Sequence, residues 1–193
     1  NREILEDREK LLAISGKLVA MDAVSEEEFL WVKEQAVKYR LKPEQRDNPD
    51  FTEELKNRID VIPVDLAVAQ AVVESGWGDS RFAREGNNYF GIWCFSKGCG
   101  TVPKQRDANA NHEVANFNSL KACIDYYVLT INRNYAYQNL RLIRKAHRDE
   151  LKPITGIALA EGLTNYAYPG DEYISSIQSV IRYNQLERYD QLN

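Results

Sequence analysis

One stretch, residues 67–93, constrains the fold of this chain more than any other. It reads AVAQAVVESGWGDSRFAREGNNYFGIW and begins with the periodicity of a helix. Pro63 is tolerated in a first helical turn, and Asp65 would complement the positive end of the helix dipole there. Glycine is the usual residue just past a helix end, so this helix should end before Gly76. Glu74 is then placed in the last helical turn.

That position is unusual for a carboxylate, because the negative end of the helix dipole opposes the charge of Glu74. Aromatic residues follow before the end of the stretch: Trp77, Phe82, Tyr89, Phe90 and Trp93. If they enclose Glu74, desolvation favours its neutral form. A carboxyl that stays protonated near neutral pH can act as a general acid. The spacing alone also allows a solvated glutamate without a chemical role.

Two separated motifs carry a resemblance to a known family. AQAVVESGWGDSRFA followed by GNNYFGIW resembles the signature of the family 73 glycoside hydrolases, which are bacterial cell-wall N-acetylglucosaminidases. The wider match, with CFSKGCGTVP, HEVANF and YNQL, resembles the Bax-like branch and covers residues 60–190. The resemblance implies a mainly α (α+β), lysozyme-like fold with a small β-hairpin, acting on peptidoglycan. It gives Glu74 the position of the catalytic acid.

The resemblance also implies a second catalytic group. Family members carry a further acidic residue on the hairpin, and the matching region offers Glu113 or, as a weaker choice, Asp107. The Thr-x-Glu-Tyr pattern of the autolysin branch is absent, because TVPKQ occupies that neighbourhood. The 2-acetamido group of the substrate can otherwise attack the anomeric carbon. A salt-bridged or solvated strand residue is the alternative for Glu113.

Further site residues follow from the same resemblance. Tyr166 takes the position of the family's active-site tyrosine, with Tyr173 as the second choice, and a core tyrosine is the alternative for either. Aromatic rings pack well on the apolar faces of sugars, and Trp77 can otherwise be a structural plug beside the helix end. The residues expected to bind substrate are Trp77, Asn88, Phe90, Trp93 and Tyr173.

The resemblance and these residues together imply a peptidoglycan hydrolase that cleaves β-1,4 glycosidic bonds. The expected type is an endo-β-N-acetylglucosaminidase with Glu74 as general acid and peptidoglycan glycan strands as the partner. A muramidase or a lytic transglycosylase would cut the alternate bond, and the latter leaves a 1,6-anhydro ring. A non-catalytic glycan-binding module is the alternative from another functional class.

Composition excludes several other classes. The 193 residues are 44% hydrophobic and 28% charged, as in an ordinary globular domain. The net charge of −4 lacks the basic excess of a nucleic-acid binder, and no apolar run is long enough to span a membrane. His112 and His147 are the only histidines, too few for a His-rich metal site, and no metal or other cofactor is expected. We expect a monomer with a helical extension, residues 1–60, packed on a core domain, residues 61–193.

The cysteines indicate a compartment. Cys94 and Cys99 are close enough in sequence for a local disulfide, although two reduced thiols are also possible, and no second close pair completes a zinc site. A disulfide points to the bacterial cell envelope, periplasmic or secreted. Cys123 lies in an apolar helical pattern and is expected to be a buried free thiol. Because the chain begins at Asn1 without Met, we interpret it as a processed or trimmed product.

Several local expectations can be compared directly with a structure. Helices are expected over residues 3–20, from the Ser25 capping box, and over residues 139–148. The last of these should expose Arg141, Arg144, Lys145 and Arg148 as a solvated face, which could alternatively hold an anionic glycan. Strands 92–95 and 113–117 should pair. Pro153 should open a helix that continues through Leu163, and Asp171 should cap the final helix.

Overall fold

The computed structural model describes residues 1–42, 51–104, 106 and 110–192. Over these ranges the chain is mainly helical with a small antiparallel sheet, so the predicted mainly α, lysozyme-like fold is confirmed. The elements in chain order are α1 (Arg2–Val19), α2 (Glu26–Lys38), α3 (Phe51–Arg58), α4 (Val64–Ser75), α5 (Arg81–Gly86), β1 (Trp93–Cys94), β2 (Gly100–Thr101), β3 (Glu113–Ala115), α6 (Leu120–Arg133), a 3₁₀ helix (Tyr135–Tyr137), α7 (Gln138–Asp149), α8 (Gly156–Ala160), α9 (Gly170–Asn184) and a second 3₁₀ helix (Leu186–Leu192).

The sheet has the strand order β1-β3-β2, and both outer strands run antiparallel to β3. The predicted pairing of β1 with β3 is confirmed, with Trp93 opposite Val114. The short strand β2 was not expected from the sequence. It follows the disulfide between Cys94 and Cys99, which is also confirmed.

Helix α4 is the centre of the larger hydrophobic core. It buries Leu66 and Ala69, and the core continues through α6 and α9 with Ile131 and Ile177. The helix ends as predicted, because Gly76 adopts the left-handed conformation (φ 57°) and its N–H donates to the carbonyl of Val72.

The buried hydrophobic side chains of the described residues form two clusters. The larger takes its buried members from residues 62–186, and the smaller takes them from residues 11–59, mainly on α1, α2 and α3. The expected division into an extension, residues 1–60, and a core domain, residues 61–193, stays a prediction. None of the described helices is both long and apolar enough to cross a membrane. Cys123 is a buried free thiol, as expected.

The prediction that helix α7 exposes its whole basic face is wrong. Arg141 is only 4% exposed and Arg144 only 1% exposed. Both guanidinium groups are buried because backbone carbonyls satisfy them: Arg141 donates to the carbonyls of Ile131 and Asn134, and Arg144 to that of Val61, among others.

Two helix boundaries also differ from the sequence prediction. Helix α8 begins at Gly156 rather than at Pro153, because the hydroxyl of Thr155 accepts the N–H of Ala158 and so caps the helix there. Helix α9 begins at Gly170, with Pro169 at the cap position and no side-chain cap hydrogen bond. Asp171 therefore lies within the first turn, where it complements the helix dipole instead of capping it.

The start of α4 is held by two carboxyl groups in contact. Asp65 is buried and accepts the N–H groups of Leu66 and Gly156, while Asp190 accepts the N–H of Asp65. Burial and, after it, the neighbouring Asp190 carboxyl together raise the pKa of Asp65 to about 7. The last 3₁₀ helix is thereby tied to the beginning of the helix that carries Glu74.

This pair makes stability depend on pH. Because the folded-state pKa of Asp65 lies above its unfolded value of 3.8, the free energy of unfolding should fall as pH rises from about 4 through 7. Replacing Asp190 with asparagine keeps an acceptor for the N–H of Asp65 and removes the like charge. The decline should flatten in Asp190→Asn, as measured by thermal unfolding at a series of pH values. An identical decline in the variant would contradict this account.

Candidate active site

Glu74 lies in the last turn of α4, half-buried, facing the segment that follows α5. Gly91 in that segment adopts a positive φ of 62°, and a Cβ atom placed on it would lie 3.0 Å from Oε2 of Glu74. Only a glycine therefore lets the backbone come this close to the carboxylate without strain. This close approach helps to shield Glu74 from water.

A chain of hydrogen bonds leads from the core to Glu74. The hydroxyl of Tyr127 donates to Oε1 of Gln70 (2.6 Å), and Nε2 of Gln70 donates to the hydroxyl of Tyr173 (2.9 Å). Because this hydroxyl already accepts from an amide, its own proton is free to be donated to the carboxylate of Glu74, its other hydrogen-bond partner. The orientation of Gln70 thus sets the direction of the whole chain.

The environment shifts the acidity of Glu74. Desolvation by burial raises the pKa of its carboxyl, and the hydrogen bond from Tyr173 opposes part of that rise. The net upward shift extends the pH range in which the carboxyl is protonated. A proton donor is therefore available at higher pH than an ordinary glutamic acid would allow.

Two further tyrosines complete the surroundings of Glu74. The ring of Tyr166 lies parallel to that of Tyr173 with centroids 5.3 Å apart, and the ring of Tyr137 lies 5.7 Å from that of Tyr166. The hydroxyl of Tyr166 donates to the carbonyl of Phe90 (2.9 Å). The negative charge of Glu74 raises the pKa of both Tyr137 and Tyr166, with burial as the larger cause. The aromatic surroundings thus come from three segments far along the chain.

The structure brings Tyr166 and Tyr173 close to Glu74, while Tyr173 is also part of the hydrophobic core, and the roles expected of these two tyrosines stay predictions. Gln70, Tyr127 and Tyr137 were not singled out from the sequence. A signal for Gln70 was present, since it lies four residues before Glu74 and therefore on nearly the same side of an otherwise apolar helix.

Glu113 forms its hydrogen bonds with the disulfide loop rather than with the residues around Glu74. Its side chain is buried, with Oε1 accepting the N–H of Gly98 (3.0 Å) and Oε2 accepting the N–H of Gly100 (2.9 Å). These backbone hydrogen bonds lower the pKa of its carboxyl. Glu113 also lies beside Cys94 and Cys99, but those two sulfurs are bonded to each other, so this group is not available to a metal ion. Asp107, the weaker candidate, lies outside the described residues.

The expected substrate-binding residues divide into two groups. Asn88 and Phe90 are buried: the amide of Asn88 bonds to the backbone of Ile92 and Ala115, and the Phe90 ring stacks on Tyr127 at 3.9 Å. These two side chains are therefore part of the packing around the site and are not exposed to a substrate.

Trp77 and Trp93 are the accessible members of the set, 69% and 49% exposed. Trp93 packs its ring against His112, with centroids 4.0 Å apart. Trp77 lies in the wall of an apolar groove of about 500 Å³ beside α4. Val68 and Ile124 also line this groove. Glu74 is not in the lining of that groove. The two indoles are therefore exposed, and their expected role in stacking on a glycan stays a prediction.

Comparison with known proteins identifies the family of this chain. The model of the glucosaminidase family, described as mannosyl-glycoprotein endo-beta-N-acetylglucosaminidase, matches residues 49–186. The chain belongs to the glucosaminidase family. The matched region includes α4, the sheet and α9, and therefore every residue placed around Glu74 above.

One curated relative of this glucosaminidase-family chain is the protein bax of Escherichia coli (strain K12), which is 30% identical over 131 residues. The match covers 68% of this chain and 46% of the relative, so the chain spans about half the length of the protein it matches. No solved structure gave a match.

The hydrogen bond from Tyr173 gives this glucosaminidase-family site a testable pH dependence. The expected role of Glu74 as a general acid requires its protonated form, and it predicts that activity falls as pH rises through the pKa of Glu74. Tyr173→Phe removes a hydrogen bond that stabilises the carboxylate, and the pKa of Glu74 should rise. The alkaline limb of the kcat profile should therefore move to higher pH, with kcat at the optimum reduced by about tenfold. Tyr183→Phe, which changes an exposed hydroxyl on the same helix, should leave the profile unchanged. A limb that stays in place in Tyr173→Phe would contradict this role.

Proposed function

We propose that the protein hydrolyses the β-1,4 glycosidic bonds of peptidoglycan as an endo-β-N-acetylglucosaminidase, with Glu74 as the general acid. The observation that carries the proposal is the half-buried Glu74 carboxyl, whose pKa burial raises and whose position Tyr173 fixes. Membership of the glucosaminidase family supports a glycan substrate.

Glycosidic cleavage passes through an oxocarbenium-like state and needs a proton on the leaving oxygen. Glu74 supplies that proton from its carboxyl, and Tyr173 then donates a hydrogen bond to the carboxylate that forms. Tyr166 cannot easily ionise, because burial and nearby Glu74 raise the pKa of its phenol. It therefore acts as a neutral hydrogen-bonding wall of the site rather than as a base or nucleophile.

The second catalytic role can be filled by Glu113 or by the substrate's own 2-acetamido group. Both carboxylate oxygens of Glu113 are already used by the N–H groups of Gly98 and Gly100, which supports a structural role in the disulfide loop. The acetamido group is consequently our choice for attack on the anomeric carbon.

Replacing Glu113 with glutamine distinguishes these two assignments. The amide would present an N–H₂ group to a backbone N–H, so the disulfide loop should be destabilised and the melting temperature lowered. We expect kcat to stay within about tenfold of the wild-type value, measured below the melting transition. A loss as large as that of Glu74→Gln with an unchanged melting temperature would instead make Glu113 the second catalytic group.

Product chemistry tests the proposed activity directly. Purified peptidoglycan is incubated with the full chain, reduced with borohydride and analysed by mass spectrometry. Reduced N-acetylglucosamine ends are the expected result. Reduced muramic ends would indicate a muramidase, and 1,6-anhydro ends a lytic transglycosylase. Glycan binding without any released fragment would indicate a binding module.

An extracytoplasmic location is proposed with this activity. The disulfide between Cys94 and Cys99 is of the kind that persists in oxidising compartments, and peptidoglycan lies in such a compartment. The periplasm or the cell exterior would both satisfy this condition.

A further inference from the structure

A polar cavity, of about 410 Å³, lies where helices α3, α6 and α7 and the segment after α2 approach one another. We call it the Arg141 pocket. Its described lining contains one carboxylate, that of Glu54, and four guanidinium groups: Arg40, Arg58, Arg133 and Arg141. Glu54 is already engaged, because its Oε1 accepts from Nε of Arg58 at 2.7 Å. The guanidinium groups of the described lining therefore outnumber its carboxylate.

Two buried guanidinium groups line this pocket. Arg58 donates through Nη1 to three carbonyls, including those of Tyr39 and Arg133. Arg141 donates through Nη1 to the carbonyls of Ile131 and Asn134. The two groups are close enough that the charge of Arg58 adds to the effect of burial in lowering the pKa of Arg141 to about 10. The neighbouring charges thus repel each other inside the protein.

Arg141 forms no salt bridge with a carboxylate of the described residues, and the charge of nearby Glu54 offsets only part of the effect of burial on its pKa. Its side chain is only 4% exposed, and its hydrogen bonds to the carbonyls of Ile131 and Asn134 both come from Nη1. Burial of a positive charge that is only partly compensated is unfavourable. A bound anion would both neutralise this charge and accept the remaining N–H groups in the paired geometry that guanidinium favours.

The pocket is connected to the tyrosines around Glu74. Tyr135, which is 86% exposed, lies in the pocket wall, and Tyr137 of the same 3₁₀ helix contacts Tyr166. The amide of Asn165 donates to the carbonyl of Ala136 and holds this short helix against the loop that carries Tyr166. One three-residue helix therefore borders the Arg141 pocket through Tyr135 and contacts the tyrosines around Glu74 through Tyr137.

We infer that the Arg141 pocket binds a carboxylate group carried by the substrate. The inference rests on the proposed function, since it assigns the pocket to the same glycan. Peptidoglycan has two sources of this chemistry: the carboxylates of its peptide stems, and the lactyl carboxylate that muramic acid exposes when the stem is removed. Uncharged oligomers of N-acetylglucosamine have neither.

The test uses the full chain and three soluble probes: peptide stems released by an amidase, glycan strands stripped of their stems, and an N-acetylglucosamine oligomer. Arg141 itself is not replaced, because its loss would disturb the fold. The variant is the double substitution Arg40→Gln and Arg133→Gln at more accessible sites, with Arg182→Gln as an exposed control. Binding is measured by calorimetry at low and high salt.

We expect the double variant to bind an anionic probe about tenfold more weakly than the wild type at low salt, with a smaller loss at high salt. Loss confined to free stems assigns the peptide carboxylates, and loss confined to stripped strands assigns the lactyl carboxylate. KM for solubilised peptidoglycan should rise by a similar factor with kcat unchanged. Arg182→Gln should match the wild type throughout, and the uncharged oligomer should not distinguish the variants.

The inference is overturned if the wild type binds neither anionic probe, or if the double variant binds both as tightly as the wild type does. Salt-dependent binding that the double variant loses, without any released glycan fragment, would support the carboxylate site and overturn the proposed hydrolase. Fragments released equally by both proteins, with no difference in anion binding, would support the hydrolase and overturn the carboxylate site.

Discussion

Glu74→Gln is expected to lower kcat on peptidoglycan by about 10³-fold, the largest effect of any single substitution on activity. General acid catalysis contributes roughly 10²–10⁴-fold, and glutamine keeps the shape and the hydrogen-bonding capacity of the site while it cannot deliver a proton to the leaving oxygen. The measurement is the rate of new reducing ends from purified peptidoglycan. Glu85→Gln, an exposed carboxyl on the neighbouring helix α5, is the matched control and should retain the wild-type rate.

The same substitution should make the protein slightly more stable at neutral pH. Burial raises the pKa of Glu74 above its ordinary value, so the folded state binds this proton more tightly than the unfolded state does. The free energy of unfolding therefore falls as pH rises from the unfolded pKa of 4.5 through the folded pKa, and a neutral glutamine escapes that loss. Stabilisation of about 0.5–1 kcal/mol at pH 7 is typical for relief of such a functional strain.

Loss of activity and gain of stability together would separate a catalytic role from a structural one. A variant that loses activity because it is misfolded would unfold at a lower temperature than the wild type. Wild-type kcat in Glu74→Gln would contradict the proposed acid. Unchanged activity in both glutamine variants would place the proton donor elsewhere.

Much of the fold was predictable because its signals are local. The end of α4 at Gly76 follows from a left-handed cap, and the capping box at Ser25 follows from the Glu28 side chain three residues later. The pairing of β1 with β3 follows from short apolar runs separated by a polar segment. In the first two cases the residues that determine the structure lie within a few positions of one another, and in the third the signal lies within each short strand.

The parts of the site that were not predictable depend on contacts between distant segments. Gln70 and Tyr127 are 57 positions apart, and Gln70 and Tyr173 are 103 apart, so no local pattern indicates that they share hydrogen bonds. The burial of Arg144 has the same origin, because its carbonyl partners lie on the segment before α4, more than 80 positions away. Helix α7 has the charge pattern of a solvated face, and only tertiary packing reverses it.

Replacement of Asp60, the acidic residue among the buried arginines, should have the largest effect on the free energy of unfolding. Asp60 is 2% exposed, and three arginines surround its carboxylate: Arg148 at 2.6 Å, Arg8 at 3.4 Å and Arg144 at 3.7 Å. Burial acts to raise the pKa of Asp60, but the hydrogen bond from Arg148 and the three positive charges outweigh it, so the pKa is lowered. The carboxylate is therefore the charge that allows Arg144 to be buried.

Asp60→Asn should lower the free energy of unfolding by about 3–5 kcal/mol, because it leaves buried Arg144 without a counter-ion. In a chain of this size that corresponds to a fall in melting temperature of about 10 °C or more. Denaturant titration at pH 7 measures the change. Asp149→Asn, which breaks the surface pair with Lys145, is the control and should lower stability by at most about 1 kcal/mol.

The pH dependence of the stability lost in Asp60→Asn identifies the cause of that loss. Because the folded pKa of Asp60 is depressed, its contribution to stability is present above the unfolded pKa of 3.8 and disappears as pH falls through the folded value. The difference between wild type and Asp60→Asn should accordingly narrow at strongly acidic pH, whereas a loss caused by altered packing would persist there.

Asp60 also lies just before Pro63, the cap residue of α4, and its carbonyl accepts hydrogen bonds from Asn132 and Arg144. The charge cluster thus holds the segment just before the helix whose last turn carries Glu74.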